Sequence, residues 1–524
     1  MRKLLNVVTI QRSFLIMVLL ISISGHVVFT IIDPLMMRYL FDEGLLAGNY
    51  TTFVVASGLL VLFGAGIRLV FLLQDLLTQN LKNRITQQLA LKMLGHYYAI
   101  PYKYVAAYDS GYMLSRVYDE PAKIATESVD TVIQMHVNAF ICIAALLVSL
   151  YLSWELTVIL LLIVPILYAL SKYFRTKITQ KSQEEQEQEA QVRHIVSASV
   201  RAYKTINVFN LSLTVHTKVA NQLVQYLNVL FARVKLTNTY QTYSTITLSL
   251  AEATVLIAAG FAVVTGALTI GGLMGFMSAF WRLIAAANNL IAVWSNVAKT
   301  SGYVERMLEF EQMGKPYIPR QGNTFKLSTA SLGYEQQHIL TNIDLEIWPH
   351  EKCLIIGPNG CGKSTLALVL SGFLPPLSGT VRQPQIETIS ALLTPFHFIS
   401  GTIAEHVNYH ALTHEQKQRF DHLITRFGLD DKVQRDVLDD LSEGEKKKVQ
   451  VILTILKDAE HYIFDEPLAH VDTSSKDAIM DSIFTMLHGK TVIMIMHGDE
   501  HYHARFDRIL ELPHLQERAI PVTV

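Results

Sequence analysis

The stretch Leu354–Leu370, "LIIGPNGCGKSTLALVL", decides how the chain is read. Within it, Gly357–Thr365 matches G-x-x-x-x-G-K-[ST] in full. An apolar strand-like run precedes it and an apolar helix-like run follows, which is the context a phosphate loop needs. Glycines at 357, 360 and 362 let backbone N–H groups approach phosphate oxygens. Lys363 brings a point charge to the β and γ phosphates, Ser364 is a ligand type for Mg²⁺, and the opening helix adds its dipole. Gly357, Asn359, Gly360, Cys361, Gly362, Lys363, Ser364 and Thr365 are the candidates for nucleotide contact. About a hundred residues on, "HYIFDEP" puts Asp465 and Glu466 at the end of a buried-strand pattern. Asp465 is expected to hold Mg²⁺ through water and Glu466 to polarise the attacking water, because phosphoryl transfer depends on positioning and charge stabilisation.

Outward from this loop the composition changes character. Half of the 524 residues are apolar, 17% are charged and the mean hydropathy is +0.29, which fits a membrane protein carrying a soluble appendage. A net charge of −1 leaves no global basic surface and argues against nucleic acid as a partner. The three cysteines, Cys142, Cys353 and Cys361, have neither metal spacing nor a disulfide framework. Tracts of about 20 apolar residues read as spans, and six are found: about 13–39, 51–75, 131–154, 156–175, 238–265 and 272–298. The basic "MRKLLNVVTIQR" leads into a run long enough to span, so no cleavable signal peptide is read. Lys82, Arg84, Lys92, Lys103, Arg116 and Lys123 crowd one connection, and Arg175, Lys177, Arg193, Arg201 and Lys204 another. The opposite connections carry no Lys or Arg, so both termini are expected on the cytoplasmic side. The long inner loops look helical, as in "SQEEQEQEAQVRHIVSASV", and continue the spans as stalks. The expected organisation is a transmembrane domain over 1–310, a Pro/Gly-broken linker over 311–324, and an α/β domain over 325–524.

Between the phosphate loop and the acidic pair lies "LSEGEKKKVQVILTILK". The order P-loop, L-S-x-G-x with a helix, then D-E resembles the ATP-binding cassette transporters. Six spans with long inner loops ahead of one cassette resemble the exporter-type half-transporters. The resemblance implies a multi-domain membrane protein: a six-helix bundle of ABC exporter type followed by an α/β P-loop NTPase cassette. It implies that Leu441–Glu445 is the signature motif, with Ser442 and Gly444 facing the γ-phosphate. It further implies Asp472 as the D-loop acid, His497 as the switch histidine and Tyr334 as the aromatic stacked on adenine. ATP and Mg²⁺ are the implied cofactors. One P-loop and one signature per chain imply pairing, with a second copy or a related half-transporter, to close two sites around two ATP molecules. Segments 103–116 and 196–210 are then candidates to carry cassette closure into the bundle. The implied function is export across the cytoplasmic (inner) membrane by alternating access, of a peptide, siderophore, lipid or amphipathic drug-like molecule. An importer on the same fold and an ATP-gated channel or regulatory subunit are the alternatives. "SALLTPFHF", "SEGEKKK" and "HGDEHYHARFDRILEL" are loosely similar to exporters of cyclic peptides and peptide siderophores.

The sequence departs from the family pattern in two places. Where the family has a Gln at the edge of the γ-phosphate site, Thr394 stands, a shorter candidate metal ligand. "LSEGE" replaces L-S-G-G-Q, and Lys446–Lys448 are expected to offset the charge of Glu443. In the spans, Glu252 and Arg282 fall at equal depth and are expected either to pair with each other or to meet substrate. Asn288, Asn289, Phe276, Phe280 and Trp281 are further residues that face the bundle or its path.

Overall fold

Backbone groups that enter hydrocarbon must satisfy one another, and the apolar tracts accordingly fold as helices. The computed structural model describes residues 11–512 apart from 109, 315, 316, 318, 335 and 336. The basic N-terminus up to residue 10, parts of the 311–324 linker and the chain from 513 onward lie outside the described residues. Two compact units are formed: Met1–Met93 with Arg116–Leu308, and Leu94–Ser115 with Glu309–Val524.

In the first unit, α1 (Arg12–Tyr39) runs on as a wider π-turned segment to Leu46, and α2 spans Tyr50–Tyr97. A short α3 (Tyr102–Ala107) interrupts, grouped with the second unit. Then follow α4 (Glu120–Leu152), α5 (Trp154–Arg201), α6 (Tyr203–Val208), α7 (Ser212–Val264) and α8 (Ile270–Glu311). Among the described residues, five of these helices are long and apolar enough to cross a membrane. The fourth expected span lies in the first half of α5, which begins where the Ser153 hydroxyl accepts from the Leu156 N–H. With 48 residues, α5 extends about 72 Å, more than twice a hydrocarbon core of about 30 Å. The helices therefore carry well past any bilayer. Below the spans α5 and α7 run side by side, joined by Gln222 to Gln188 and Gln191 and by the Arg233–Glu185 ion pair. Val255 and Ala259 of α7 pack on Phe276, Phe280 and Leu283 of α8, together with Leu156 and Leu160 of α5. At Gly275 a Cβ would lie 2.6 Å from the Pro34 carbonyl oxygen, so only glycine lets α8 meet the backbone of α1 there.

The second unit is built on two sheets. An antiparallel-rich sheet has the order β1 (Arg320–Gln321), β5 (Ser378–Gln383), β2 (Phe325–Tyr334), β3 (Gln337–Ile347). A fully parallel sheet has the order β6 (Ile389–Leu392), β7 (His461–Asp465), β8 (Thr491–Ile495), β4 (Lys352–Ile356), β9 (Arg508–Glu511). The strands β4, β7 and β8 are almost wholly buried and read as continuous apolar runs, as strands covered on both faces must. Helices α9 (Lys363–Leu370), α10 (His414–Phe427), α11 (Glu443–Leu456) and α12 (Thr473–Met486) complete the unit. In register, Ile495 of β8 pairs both Ile355 of β4 and Asp465 of β7. The carboxyl ends of these three strands are thus level, and ligands bind at that edge of an open parallel sheet. Within the same unit the Tyr102 ring of α3 meets Phe373 at 5.8 Å between centroids.

Candidate functional site

The loop between β4 and α9 turns on residues in the left-handed region, Gly360 (φ +80°) and Gly362 (φ +98°). A Cβ on Gly362 would also press on Ile339 and Leu340 at 2.8 Å, so the position admits only glycine. The Lys363 side chain, 7% exposed, donates from Nζ to the Gly357 and Pro358 carbonyls at 2.8 and 2.9 Å. Its ammonium is therefore held across the loop it serves. Asn359, Gly360 and Ser364 are exposed, Thr365 is buried, and Cys361 packs against the apolar core beneath the loop.

At the end of β7, Asp465 is 1% exposed and neither carboxylate oxygen has a hydrogen-bond partner among the described residues. Burial pushes its pKa up, and the Glu466 charge adds to this. The Ser364 hydroxyl, near enough to weigh on the titration, and the Thr394 backbone act in the opposite sense. The Thr394 hydroxyl donates to the Asp465 main-chain oxygen at 3.2 Å, which ties this shorter residue to the acidic strand end. Glu466 sits at φ +52°, a strained conformation for a side-chain-bearing residue, and its N–H donates to the Ile495 carbonyl at 3.0 Å. His497, just past β8, is exposed. Glu466 and His497 line one cleft of about 190 Å³, shared with His470 and the Lys476–Asp499 ion pair.

Ser442 caps α11 reciprocally with Glu445: each side chain takes the other residue's backbone N–H. Glu445 also meets Lys432, which drops its pKa to about 2. Gly444 abuts the next segment so closely that a Cβ would lie 2.8 Å from the His470 carbonyl oxygen. In that segment Asp472 caps α12 and accepts from Ser474 and Ser475, which hold its carboxyl well below the usual range. The three lysines part ways. Lys446 pairs with Glu443 at 2.9 Å, whereas Lys448 donates to the Phe427 carbonyl and lies 3.8 Å from Asp472. Lys447 is 8% exposed; burial lowers its pKa, and Asp465 and Glu466 oppose that. The expectation that all three offset Glu443 is corrected: successive helical residues turn about 100° apart, and only Lys446 faces it.

Tyr334 ends β2 half-buried against the apolar core. Burial raises its pKa, the neighbouring Tyr102 adds to this, and its hydroxyl lies by Thr365. Tyr102 and Phe373 escaped the sequence reading. The only signal there was a Pro-broken aromatic stretch, "AIPYKYVAAY".

In the helical unit the expected Glu252–Arg282 pair does not form. Arg282 donates to Asp33 at 2.8 Å, Ser278 donates to the same Asp33 oxygen at 2.8 Å, and the guanidinium lies 4.0 Å from the Phe29 ring centroid. Asp33, missed in the sequence, supplies the counter-charge from α1. Glu252 is half-buried on α7 and makes no hydrogen bond or ion pair among the described residues. Phe276 and Phe280 are core residues, Trp281 is exposed, and Asn289 donates to Asn138 at 3.2 Å.

The family model for the ABC transporter transmembrane region matches residues 14–286, and the ABC transporter model matches residues 340–469. The chain is 23% identical over 468 residues to an ATP-dependent lipid A-core flippase of Chromobacterium violaceum, covering 80% of this chain and 76% of that protein. It is also 23% identical to the lactococcin-G-processing and transport ATP-binding protein LagD of Lactococcus lactis, covering 79% of this chain and 63% of that protein. The fold matches the structure of a bacterial Atm1-family ABC exporter with ATP bound, with a TM-score of 0.81 at 17% identity over 98% of this chain and 99% of that one. With a transmembrane region and a phosphate-loop cassette on one polypeptide, this multi-pass membrane protein belongs to the ABC transporter family.

Proposed function

We propose that the chain is an ATPase-coupled exporter that works as a pair, with two cassettes clamping two ATP molecules. One observation carries this: the chain holds a preorganised phosphate loop and a strained acid, while its single signature serine is an exposed helix cap outside the Glu466–His497 cleft. A half-site of this kind needs a second chain's signature to enclose a triphosphate.

The residues fit Mg²⁺. Asp465 offers two unpartnered oxygens at the strand end, and the exposed Ser364 hydroxyl lies nearby. When bound, the ion neutralises phosphate charge. Lys363 and the loop N–H groups bind the β and γ phosphates. Glu466, fixed by its backbone bond to β8, orients the water that attacks in line, and His497 steadies the γ-phosphate from across the cleft. Tyr334 presents its ring to the base. Thr394 reaches the metal region with less length than the family's usual Gln.

Coupling to the helices is assigned to α3, through Tyr102 on Phe373, and to α6, where exposed Tyr203 and Val208, with Phe209 just past the helix end, are docking groups for the second copy's cassette. The orientation proposed puts both termini and the cassette in the cytoplasm of a cell with the chain in its inner membrane, where cytosolic or inner-leaflet cargo enters. The division at 1–310, 311–324 and 325–524 is retained, with 94–115 joining the cassette. The relatives' names point to amphipathic cargo, a lipid A-core or a lactococcin.

The test is reconstitution in vesicles with ATP added on the cassette side. Accumulation of an amphiphile on the far side, with ATP consumed in proportion, supports the proposal. Ser442→Ala is expected to abolish ATP-dependent pairing. Full turnover by that variant as a monomer would refute it.

A further inference from the structure

Helices α1 and α4 leave a groove of about 640 Å³ between them. It lies at the end of the bundle where α1 runs into its π-turned segment, α4 gives way to α5 and α7 turns into α8. Exposed Tyr39, Tyr50, Tyr151 and Trp154 mark this end, and such aromatics settle at the level of lipid headgroups. At that level the groove is charged. The Arg38 guanidinium lies 6.0 Å from the Tyr151 ring centroid and 3.6 Å from Asp42. Asp42 is already engaged: its oxygens accept from the Thr269 hydroxyl at 2.7 Å and the Gly271 N–H at 2.9 Å. The Arg38 side chain makes no hydrogen bond among the described residues. Glu43 lines the same groove, is exposed, and has neither a hydrogen bond nor an ion pair among the described residues. The winding over Leu40–Leu46 explains how an acid five residues past Arg38 returns to its side, since i→i+5 turns keep residues five apart on one face. Below these charges, Ile31 and Leu35 of α1 and Ala144, Leu147 and Val148 of α4 wall the groove with hydrocarbon for two turns, about 10 Å.

We propose that this groove holds a resident phospholipid whose headgroup carries both a phosphate and a primary ammonium, as phosphatidylethanolamine does. The phosphate takes the unused guanidinium N–H donors, which suit it in pairs. The ammonium meets the Glu43 carboxylate with N–H donors that a trimethylated amine lacks. One free cation beside one free anion is matched by a zwitterion. A purely anionic headgroup would satisfy Arg38 and be repelled by Glu43. An acyl chain follows Leu35 and Leu147 into the hydrocarbon. The lipid is a bound component and not cargo: it fills the seam between α1 and α4, beside the clasp that Asp42 makes to the α7–α8 turn. Occupancy requires no nucleotide. By the orientation proposed above the lipid belongs to the outer leaflet, and binding itself does not depend on that orientation.

The experiment uses the full chain in nanodiscs of equal parts phosphatidylethanolamine, phosphatidylglycerol and phosphatidylcholine, without nucleotide. Lipids retained when the protein leaves the disc are identified by native mass spectrometry. Phosphatidylethanolamine is expected to be retained over either of the others by about tenfold, the effect of one charge-assisted contact. Glu43→Gln, at an exposed position without a partner, is expected to remove most of the preference over phosphatidylglycerol. Leu147→Trp, at a position 62% exposed, fills the groove and is expected to abolish retention. Glu155→Gln, an exposed acid at the same end but outside the lining, should leave retention unchanged. Equal retention of phosphatidylglycerol overturns the proposal in favour of a simple anion site. Equal retention of phosphatidylcholine, or a preference untouched by Glu43→Gln, overturns it as well. Release of the lipid on adding Mg–ATP overturns it in favour of passing cargo. A disulfide between two copies of Leu147→Cys, with no lipid retained by the wild type, overturns it in favour of a seam filled by the second chain.

Discussion

Asp465→Asn is expected to make the nucleotide-free protein more stable and the nucleotide-bound protein less so. The wild-type side chain is 1% exposed with both oxygens unpartnered among the described residues. A buried unsatisfied polar group costs about 1–3 kcal/mol and a charged one more. Asparagine keeps the shape and part of that penalty but removes the charge, so we expect a gain of about 1–2 kcal/mol. For a domain of the cassette's size this raises the apparent Tm by about 2–8 °C. The pH dependence has a definite sign. Burial raises the pKa of Asp465 above its unfolded value, so the folded form holds the proton more tightly. Wild-type stability therefore falls as pH rises through the interval between the unfolded and folded values, and the gap to the variant is fully open only above the folded value. Below the unfolded carboxyl range the gap closes. Mg–ADP should reverse the order, because a ligand at about 100 times its Kd adds about 2.7 kcal/mol to the wild type and much less to a variant without the metal-facing carboxylate. Thermal unfolding of the full chain in nanodiscs, over a pH series with and without Mg–ADP, measures all three. A nucleotide-free variant melting at or below wild type at the alkaline end of the pH series refutes the reasoning, and so does a full Mg–ADP shift in the variant.

Glu466→Gln is expected to lower ATP turnover by about a hundredfold or more while the thermal shift with Mg–ATP persists, since only water activation is removed. Steady-state phosphate release beside a melting curve checks it. Asp33→Asn strands Arg282, whose only ion pair among the described residues is to Asp33, and should cost about 3 kcal/mol. Pairing Asp33→Leu with Arg282→Leu should recover most of that loss in a detergent unfolding cycle. Glu252→Gln is expected to raise stability by about 0–1 kcal/mol, because no bond is lost and an unpaired charge leaves the span. The same variant should change the rate at which an amphiphile is exported, and an unchanged rate would put Glu252 outside the path.

The parts of the fold that were legible are those where one physical demand dominates. Apolar tracts in hydrocarbon have no choice but helix, and the expected spans lie along long helices, the third and fifth running one or two residues past the helix ends at Leu152 and Val264. The phosphate loop was readable because backbone approach requires glycine at set positions, and Gly362 meets that requirement through φ and through Ile339 and Leu340. Side-chain direction was not readable. Three consecutive lysines look interchangeable in "EKKKV", yet one neutralises Glu443, one is buried behind the acidic pair and one supports the Asp472 cap. Ser442 and Asp472 were expected to face nucleotide. In the chain by itself they first satisfy helix N-termini, a local need any serine or aspartate at those positions serves.

The intramembrane charges show where such reading stops. Counting along the helices from their outer ends, Asp33, Glu252 and Arg282 all lie about 18–20 Å down. Depth therefore permits Arg282 to pair with either acid, and the choice belongs to azimuth. Ser278 lies one turn from Arg282 and Phe29 one turn from Asp33, so α1 and α8 present a matched face: two donors to one carboxylate oxygen, and a ring beneath the guanidinium. The α7 residues that pack on α8 are instead the apolar Val255 and Ala259. Asp33 went unseen because it interrupts an apolar run by a single residue before Pro34, and a search for charge-free windows stops short of it. Once Asp33 neutralises Arg282, Glu252 remains an intramembrane acid with no partner of its own among the described residues. An uncompensated carboxylate in a span costs free energy unless it meets water or a ligand. The pairing that takes up the charge of Arg282 therefore leaves Glu252 as the acid in the spans whose export phenotype is worth measuring.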